Sequence, residues 1–260
     1  MYGGARENAF TSGAGDYMER IRLDKIITDA GLASRREAAF LIKNGFVTVD
    51  GRPASSGAEK YDPATTEIIV SGEALKYRKY CYLMMNKPAG YVSATADEKE
   101  ETVSELLDGV YSRLGLFPAG RLDKDAEGLL ILTDDGEYVH RIITPSKKVY
   151  KKYYVETDGA LDPVDAAAFS KGIILRDGLH CLPAQLEITT SGEKSKAYVR
   201  IREGKYHQIK RMLASRGKTV TYLKRVAIGG LTLDESLAAG QYRELTEEET
   251  ESVFRSDCDF

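Results

Sequence analysis

The sequence predicts an α+β protein, with a small helical unit at the front and a larger domain on a mostly antiparallel sheet. Three observations carry this. Beyond residue 79, strand-like runs dominate, and helical patterns fall between them irregularly rather than once per strand. Residues 20–72 hold an apolar set of their own, spaced as helix, turn, helix and hairpin. The composition then changes after Ser71-Gly72, and the Gly- and Ser-containing joint near 71–79 is expected to be mobile. The division is therefore a disordered leader over 1–19, a first domain over 20–72, a main domain over 79–252 and an acidic tail over 253–260.

The leader MYGGARENAFTSGAGDY has no periodicity, and Met18 opens MERIRLDKII as a natural start would, so residues 1–17 read as an extension. Leu23, Ile26 and Ile27 have helical spacing, with Gly31 as the stop. Ser34-Arg35-Arg36-Glu37 fits a capping box: the serine oxygen takes the Glu37 amide, and the Glu37 carboxylate reaches back. Ala38, Leu41 and Ile42 continue the stripe, and Gly45 closes it. Phe46, Val47 and Val49 form a short strand, Asp50-Gly51 signals a hairpin turn, and Ile68–Val70 returns.

In the main domain, Tyr80–Met85 reads as a strand that Pro88 stops. Leu129–Thr133 is a continuous apolar strand closed by Asp134-Asp135-Gly136. Lys151–Thr157, Ala184–Thr190 and Ala197–Arg202 alternate as strands do. Residues 162–171 and 207–216 read as helices ending before glycines. There is no internal repeat.

Several classes are excluded early. No run of 18 apolar residues exists, so no spanning helix is expected, and the first 20 residues hold no secretory h-region. Cys81, Cys181 and Cys258 lie far apart, which fits a reducing cytosol better than a disulfide framework or a zinc site. The net charge of −3 hides a segregation. Residues 194–225 carry eleven Lys or Arg against Glu203 alone, residues 141–152 carry five with no acid, and 234–260 carry nine acids. Tyr150, Tyr153, Tyr154, Tyr198, Tyr206 and Tyr222 interleave with the basic stretches, a combination suited to nucleic acid.

Asp123, in Gly120-Arg121-Leu122-Asp123, sits in a polar loop leading into the buried strand Leu129–Thr133. A carboxylate held there can act as nucleophile or acid–base group, and on spacing alone it serves equally as a turn-capping residue. With Asp125 nearby, a two-carboxylate glycosidase arrangement stays open. By pattern alone, Lys210 is one more lysine on a basic helix and Tyr153 a strand tyrosine packing across a sheet. His207 has no partner at metal-ligand spacing, and Met84 and Met85 read as core.

The stretch GRLDKDAEGLLILTDDG (120–136) resembles the central motif of RNA pseudouridine synthases of the small ribosomal-RNA family. MNKPAGYVSAT (85–95), KKYYV (151–155), EGKYHQIKRML (203–213) and LKRVAIGGLTL (223–233) resemble the family's other motifs, in the family's order. Residues 22–52 resemble an S4 domain, an RNA-binding module, and the likeness extends over about residues 20–250. It implies an S4-type domain followed by a pseudouridine synthase domain that isomerises a uridine of 16S ribosomal RNA in the cytoplasm. Neither cofactor nor metal is implied, and the protein is expected to act as a monomer on rRNA or a partly assembled small subunit.

By this resemblance Asp123 is the catalytic aspartate, Lys210 the basic residue paired with it, and Tyr153 the active-site tyrosine. Arg121 would fill or support the space the flipped nucleotide leaves. Arg22, Lys25, Ser34, Arg35, Arg36 and Lys43 of the S4-like unit are candidate RNA contacts, as are Asn86, Lys87, Lys205, His207, Gln208 and Arg211 of the main domain. One departure is Ala126, where the family usually has Thr; the missing hydroxyl would have to be replaced locally or slow the reaction. The competing readings are the same chemistry on 23S rRNA, a non-catalytic ribosome-assembly factor, and, more distantly, a glycosidase.

Overall fold

The structure is a computed structural model that describes residues 20–255; the expected disordered leader and Cys258 lie outside the described residues. The chain divides into two compact units between Arg78 and Lys79.

In the first unit, α1 (Leu23–Asp29) buries Leu23, Ile26 and Ile27 completely, one stripe at helical spacing. The capping box at the start of α2 (Arg35–Lys43) is formed: Ser34 Oγ accepts from the Glu37 amide at 3.3 Å, and the Glu37 carboxylate accepts from the Ser34 amide at 2.8 Å. β1 (Val47–Val49) and β2 (Ile68–Val70) pair antiparallel, with Val47 opposite Val70. Asp50 and Gly51 both take positive φ (49° and 74°), the geometry of a tight hairpin turn. That turn leads first into a two-residue partner, Arg52–Pro53, on the other edge of β1. The sequence reading omitted this partner because it is too short to show alternation.

The second unit runs β3 (Tyr82–Lys87), β4 (Glu127–Thr133), α3 (Gly136–Ile143), β5 (Lys151–Asp158), α4 (Pro163–Lys171), β6 (Gln185–Thr190), β7 (Lys194–Ile201), α5 (Gln208–Ser215), β8 (Thr219–Ile228), β9 (Tyr242–Glu244) and α6 (Glu247–Ser252). The strands form one sheet in the order β6-β7-β5-β8-β4-β3-β9, with short pieces at Phe117–Pro118 and Leu231–Thr232 beside β4 and β8. Every pairing is antiparallel except β4 with β8, where Glu127 lies opposite Lys224 and Gly128 opposite Arg225. Gly128 is required at this junction. Its φ is +101°, and a Cβ there would stand 2.2 Å from the Arg225 carbonyl oxygen.

Alternation along β5 turns Tyr153, Val155 and Thr157 inward. Tyr153 and Val155 join Phe169 of α4 and Met212 and Leu213 of α5 in one core. A second core, of Leu129, Ile131, Tyr138 and Ile142, packs α3 on the sheet. The structure departs from, or adds to, the sequence reading at three places. β3 extends through Asn86 and Lys87 instead of ending before them. The segment after Asp134-Asp135-Gly136 is a helix, since the Asp135 carboxylate caps the Tyr138 amide at 3.0 Å. The tail does not begin free of the domain at residue 253: Val253 is fully buried and Phe254 stacks edge-on against Tyr138. Among the described residues, no helix is long and apolar enough to cross a membrane.

Candidate active site

The loop between Gly120 and Ala126 is gripped from below before it enters β4. Lys87, fully buried, donates from Nζ to the carbonyls of Ala126 (2.8 Å), Pro88 (2.9 Å) and Lys124 (3.3 Å). Ser93 holds Leu122 on both sides: its Oγ accepts from the Leu122 amide at 3.0 Å and donates to the Leu122 carbonyl at 3.1 Å. The Ala126 amide closes a turn on the Asp123 carbonyl at 3.1 Å. These bonds fix the loop without a hydroxyl at position 126, where Ala126 packs among core residues. Asp123 is thereby left at the loop's apex, partly exposed.

Facing it is the start of α5. Lys210 Nζ lies 3.3 Å from Asp123 Oδ2 and 2.5 Å from Asp125 Oδ1, so one ammonium bridges both carboxylates. The hydrogen bond from Lys210 holds the Asp125 carboxyl below the usual carboxylate range. His207 Nε2 stands 3.8 Å from Asp123 Oδ1. The helix start is set by a buried carboxylate: Glu203 accepts from the Leu182 amide and from the Gln208 side chain, both at 2.8 Å. Gln208 in turn accepts from the Lys205 amide at 3.0 Å.

Tyr153 presents its ring from β5. Its hydroxyl accepts from Arg225 Nη1 at 3.5 Å. Arg225 is itself 2% exposed, donates from Nε to the Leu129 carbonyl at 2.7 Å, and reaches the Arg121 carbonyl at 3.5 Å. A single buried guanidinium therefore touches the strand, the loop and the tyrosine. Asp123, Tyr153, Arg121, Lys205, Tyr206 and His207 all line one cleft of about 370 Å³.

Not every expected residue is there. Asn86 and Lys87 are buried and spend their donors inside the protein, Asn86 on the Leu237 carbonyl at 2.8 Å. Gln208 is buried likewise. Asn86 and Lys87, expected to contact RNA, are consecutive on β3 and take opposite faces of a strand that is covered on both, whereas Gln208 lies in the wall of the cleft. Lys205 is tethered by Glu203 at 3.3 Å, and Arg211 by Asp177 at 2.5 Å. Of the interleaved tyrosines, Tyr154, Tyr198 and Tyr222 cluster with one another on the outward side of the strands that hold Tyr153 inward. In the first unit, Ser34 caps α2, Arg22 pairs with Asp24 at 2.5 Å and Lys25 with Asp29 at 2.7 Å, while Arg35, Arg36 and Lys43 are exposed. The sequence reading missed Arg225 as a site residue. Its signal was legible: Leu223, Arg225 and Ala227 share one face of β8, so the arginine must point into the core.

Residues 81–215 match the profile of RNA pseudouridylate synthases, and residues 21–65 match that of S4 domains. The chain belongs to the RNA pseudouridylate synthase family. This synthase is 45% identical to an uncharacterized RNA pseudouridine synthase of Bacillus subtilis, YtzG, over 88% of this chain and 96% of that protein. It is 42% identical to the ribosomal small subunit pseudouridine synthase A of Vibrio cholerae, over 90% of this chain and all of the relative. A crystal structure of a pseudouridylate synthase superposes with a TM-score of 0.62 at 36% identity, covering 90% of this chain and 99% of that one. The synthase is thus an isomerase of RNA uridine, with an S4 domain ahead of its catalytic domain.

Proposed function

We propose that this synthase converts a specific uridine of 16S ribosomal RNA to pseudouridine, with Asp123 as the reacting carboxylate. The observation that carries the reading is that Asp123, paired with Lys210, and Tyr153 line one cleft. The choice of 16S over 23S rRNA rests on the similarity to the Vibrio cholerae small-subunit enzyme along its full length. The synthase acts in this reading as a cytoplasmic monomer, on free rRNA or a partly assembled subunit.

The reaction breaks the N1–C1′ bond, turns the uracil over and joins C5 to C1′. The proton on C5 leaves and N1 gains one, so no atom or electron is lost and no cofactor is called for. In this mechanism Asp123 reacts as the carboxylate, whether it attacks C1′ or removes a ribose proton, and the Lys210 ammonium pairs with it at 3.3 Å. Tyr153 stacks on the uracil and stands where the C5 proton must depart. Flipping the nucleotide into the cleft costs a few kcal/mol, offset by stacking and phosphate contacts. Arg121, exposed at the rim, occupies the space left in the RNA. Arg22, Lys25, Ser34, Arg35, Arg36 and Lys43 supply phosphate contacts from the S4 domain, and Lys205, His207 and Arg211 supply them beside the cleft.

The test is tritium release from RNA labelled at uridine C5, offering 16S and 23S transcripts and partly assembled subunits. Release from 16S material alone, abolished by Asp123→Asn, is the expected result. Release from 23S RNA alone would move the target to the large subunit. Tight binding with no release would leave an assembly factor.

A further inference from the structure

Tyr206 is 75% exposed, the most exposed large apolar side chain among the described residues, and it lines the cleft that holds Asp123. It is also held in place. Its ring stacks on that of His207, with centroids 3.9 Å apart and planes inclined by 16°. Neighbouring side chains normally diverge, and these two overlie because His207 adopts the left-handed conformation, φ 47° and ψ 37°. That conformation is disfavoured for a residue with a Cβ, and such strain gathers at ligand sites. The Arg211 guanidinium reaches the Tyr206 carbonyl at 3.5 Å and the Asp177 carboxylate at 2.5 Å, tying the turn to a second loop.

One face of the Tyr206 ring is therefore covered by an imidazole and the other is open to solvent. An aromatic plane left bare at the mouth of a cleft, with Lys205 and Arg211 beside it, matches the chemistry of an unpaired nucleobase next to phosphates. We propose that Tyr206, backed by His207, is the shelf on which the nucleobase immediately adjoining the target uridine stacks. The inference rests on the reading of the cleft as the uridine site. His207 also stands 3.8 Å from Asp123, so the shelf adjoins the proposed reacting carboxylate. Tyr206 is a substrate-binding residue that selects RNA in which this neighbour is unpaired.

The test uses the full chain and two readouts, filter binding of the 16S transcript and tritium release from it. Replacing an aromatic stacking partner by alanine weakens single-strand binding by about 5- to 150-fold. Tyr206→Ala should raise Kd and KM within that range and leave kcat within about twofold, whereas Tyr206→Trp should restore both. Once the modified uridine is mapped, synthetic fragments carrying an abasic residue on either side identify the base. The abasic change should weaken wild-type binding by the same factor as Tyr206→Ala, and the two together should add nothing. Additive losses at both neighbours, unchanged affinity in Tyr206→Ala, or a fall in kcat alone would each overturn the shelf. Absence of tritium release by the wild-type protein would instead sink the assignment of the reaction, with the affinities of Tyr206→Ala and Tyr206→Trp for the transcript still reporting on the shelf.

Discussion

Two lysines buried in the catalytic unit, Lys87 and Lys151, should make the protein more stable as the pH rises above 8. Lys87 clamps the Asp123 loop, and Lys151 donates to the carbonyls of Ile142 (2.7 Å) and Val149 (2.9 Å) beneath α3. Burial lowers each amine to about 8 from the ordinary 10.5. Between those values the unfolded chain holds more protons than the folded one, so stability rises with pH and the penalty is complete below about pH 8. For one lysine shifted this far, the gain between pH 8 and 9 is about 1 kcal/mol, hence about 2 kcal/mol for the pair. The neutral amine still has two donors, so most of the carbonyl contacts survive deprotonation. Burial also raises the Cys181 thiol, which opposes part of the trend above about pH 9, so the comparison is made between pH 8 and 9. Urea unfolding followed by near-UV circular dichroism reads the effect from packed tyrosines, since the chain has no Trp. Lys151→Met should halve the rise and leave turnover alone; Lys87→Met should halve it and also lower kcat, because the loop loses its clamp. A flat or falling stability between pH 8 and 9, or an undiminished rise in the double variant, would refute the reasoning.

Three further outcomes are expected. Lys210→Met removes the cation 3.3 Å from Asp123, an attraction of at most about 5 kcal/mol at an effective dielectric of 20 and much less after solvent screening. Turnover should fall about 10- to 100-fold; unchanged turnover would remove Lys210 from the proposed mechanism. Gly128→Ala should destabilise the catalytic unit by about 3 kcal/mol or more, because both φ and the 2.2 Å approach to Arg225 forbid a Cβ; thermal denaturation measures it. Arg225→Met and Arg225→Lys should both lower kcat by about tenfold or more with a smaller change in KM, since neither restores a fork reaching Tyr153 and the 121 carbonyl together. Recovery by lysine would show that charge alone suffices there.

Local physics made much of this protein legible in one dimension. The Ser34–Glu37 capping box, the Asp50-Gly51 turn and the alternation of β5 depend on neighbours within a few residues, and the structure forms each as read. The ordered motifs around Asp123, Tyr153 and Lys210 pointed to one chemistry before any distance was known. What the sequence could not rank was the work each polar residue does. Lys87 and Lys210 carry the same side chain, yet one is sealed under the loop and the other spans two carboxylates above it, because strand phase and helix phase point them oppositely. Strand phase alone turns Arg225 inward, but only the pairing of β8 with β4 supplies its partners, the Leu129 and Arg121 carbonyls. Tyr206 looked like one interleaved tyrosine among six; only the left-handed turn at His207 lays its ring across the mouth of the cleft. Periodicity fixes which face a side chain takes, whereas its partners come from strands and loops as far as 151 residues away, and those only the tertiary fold supplies.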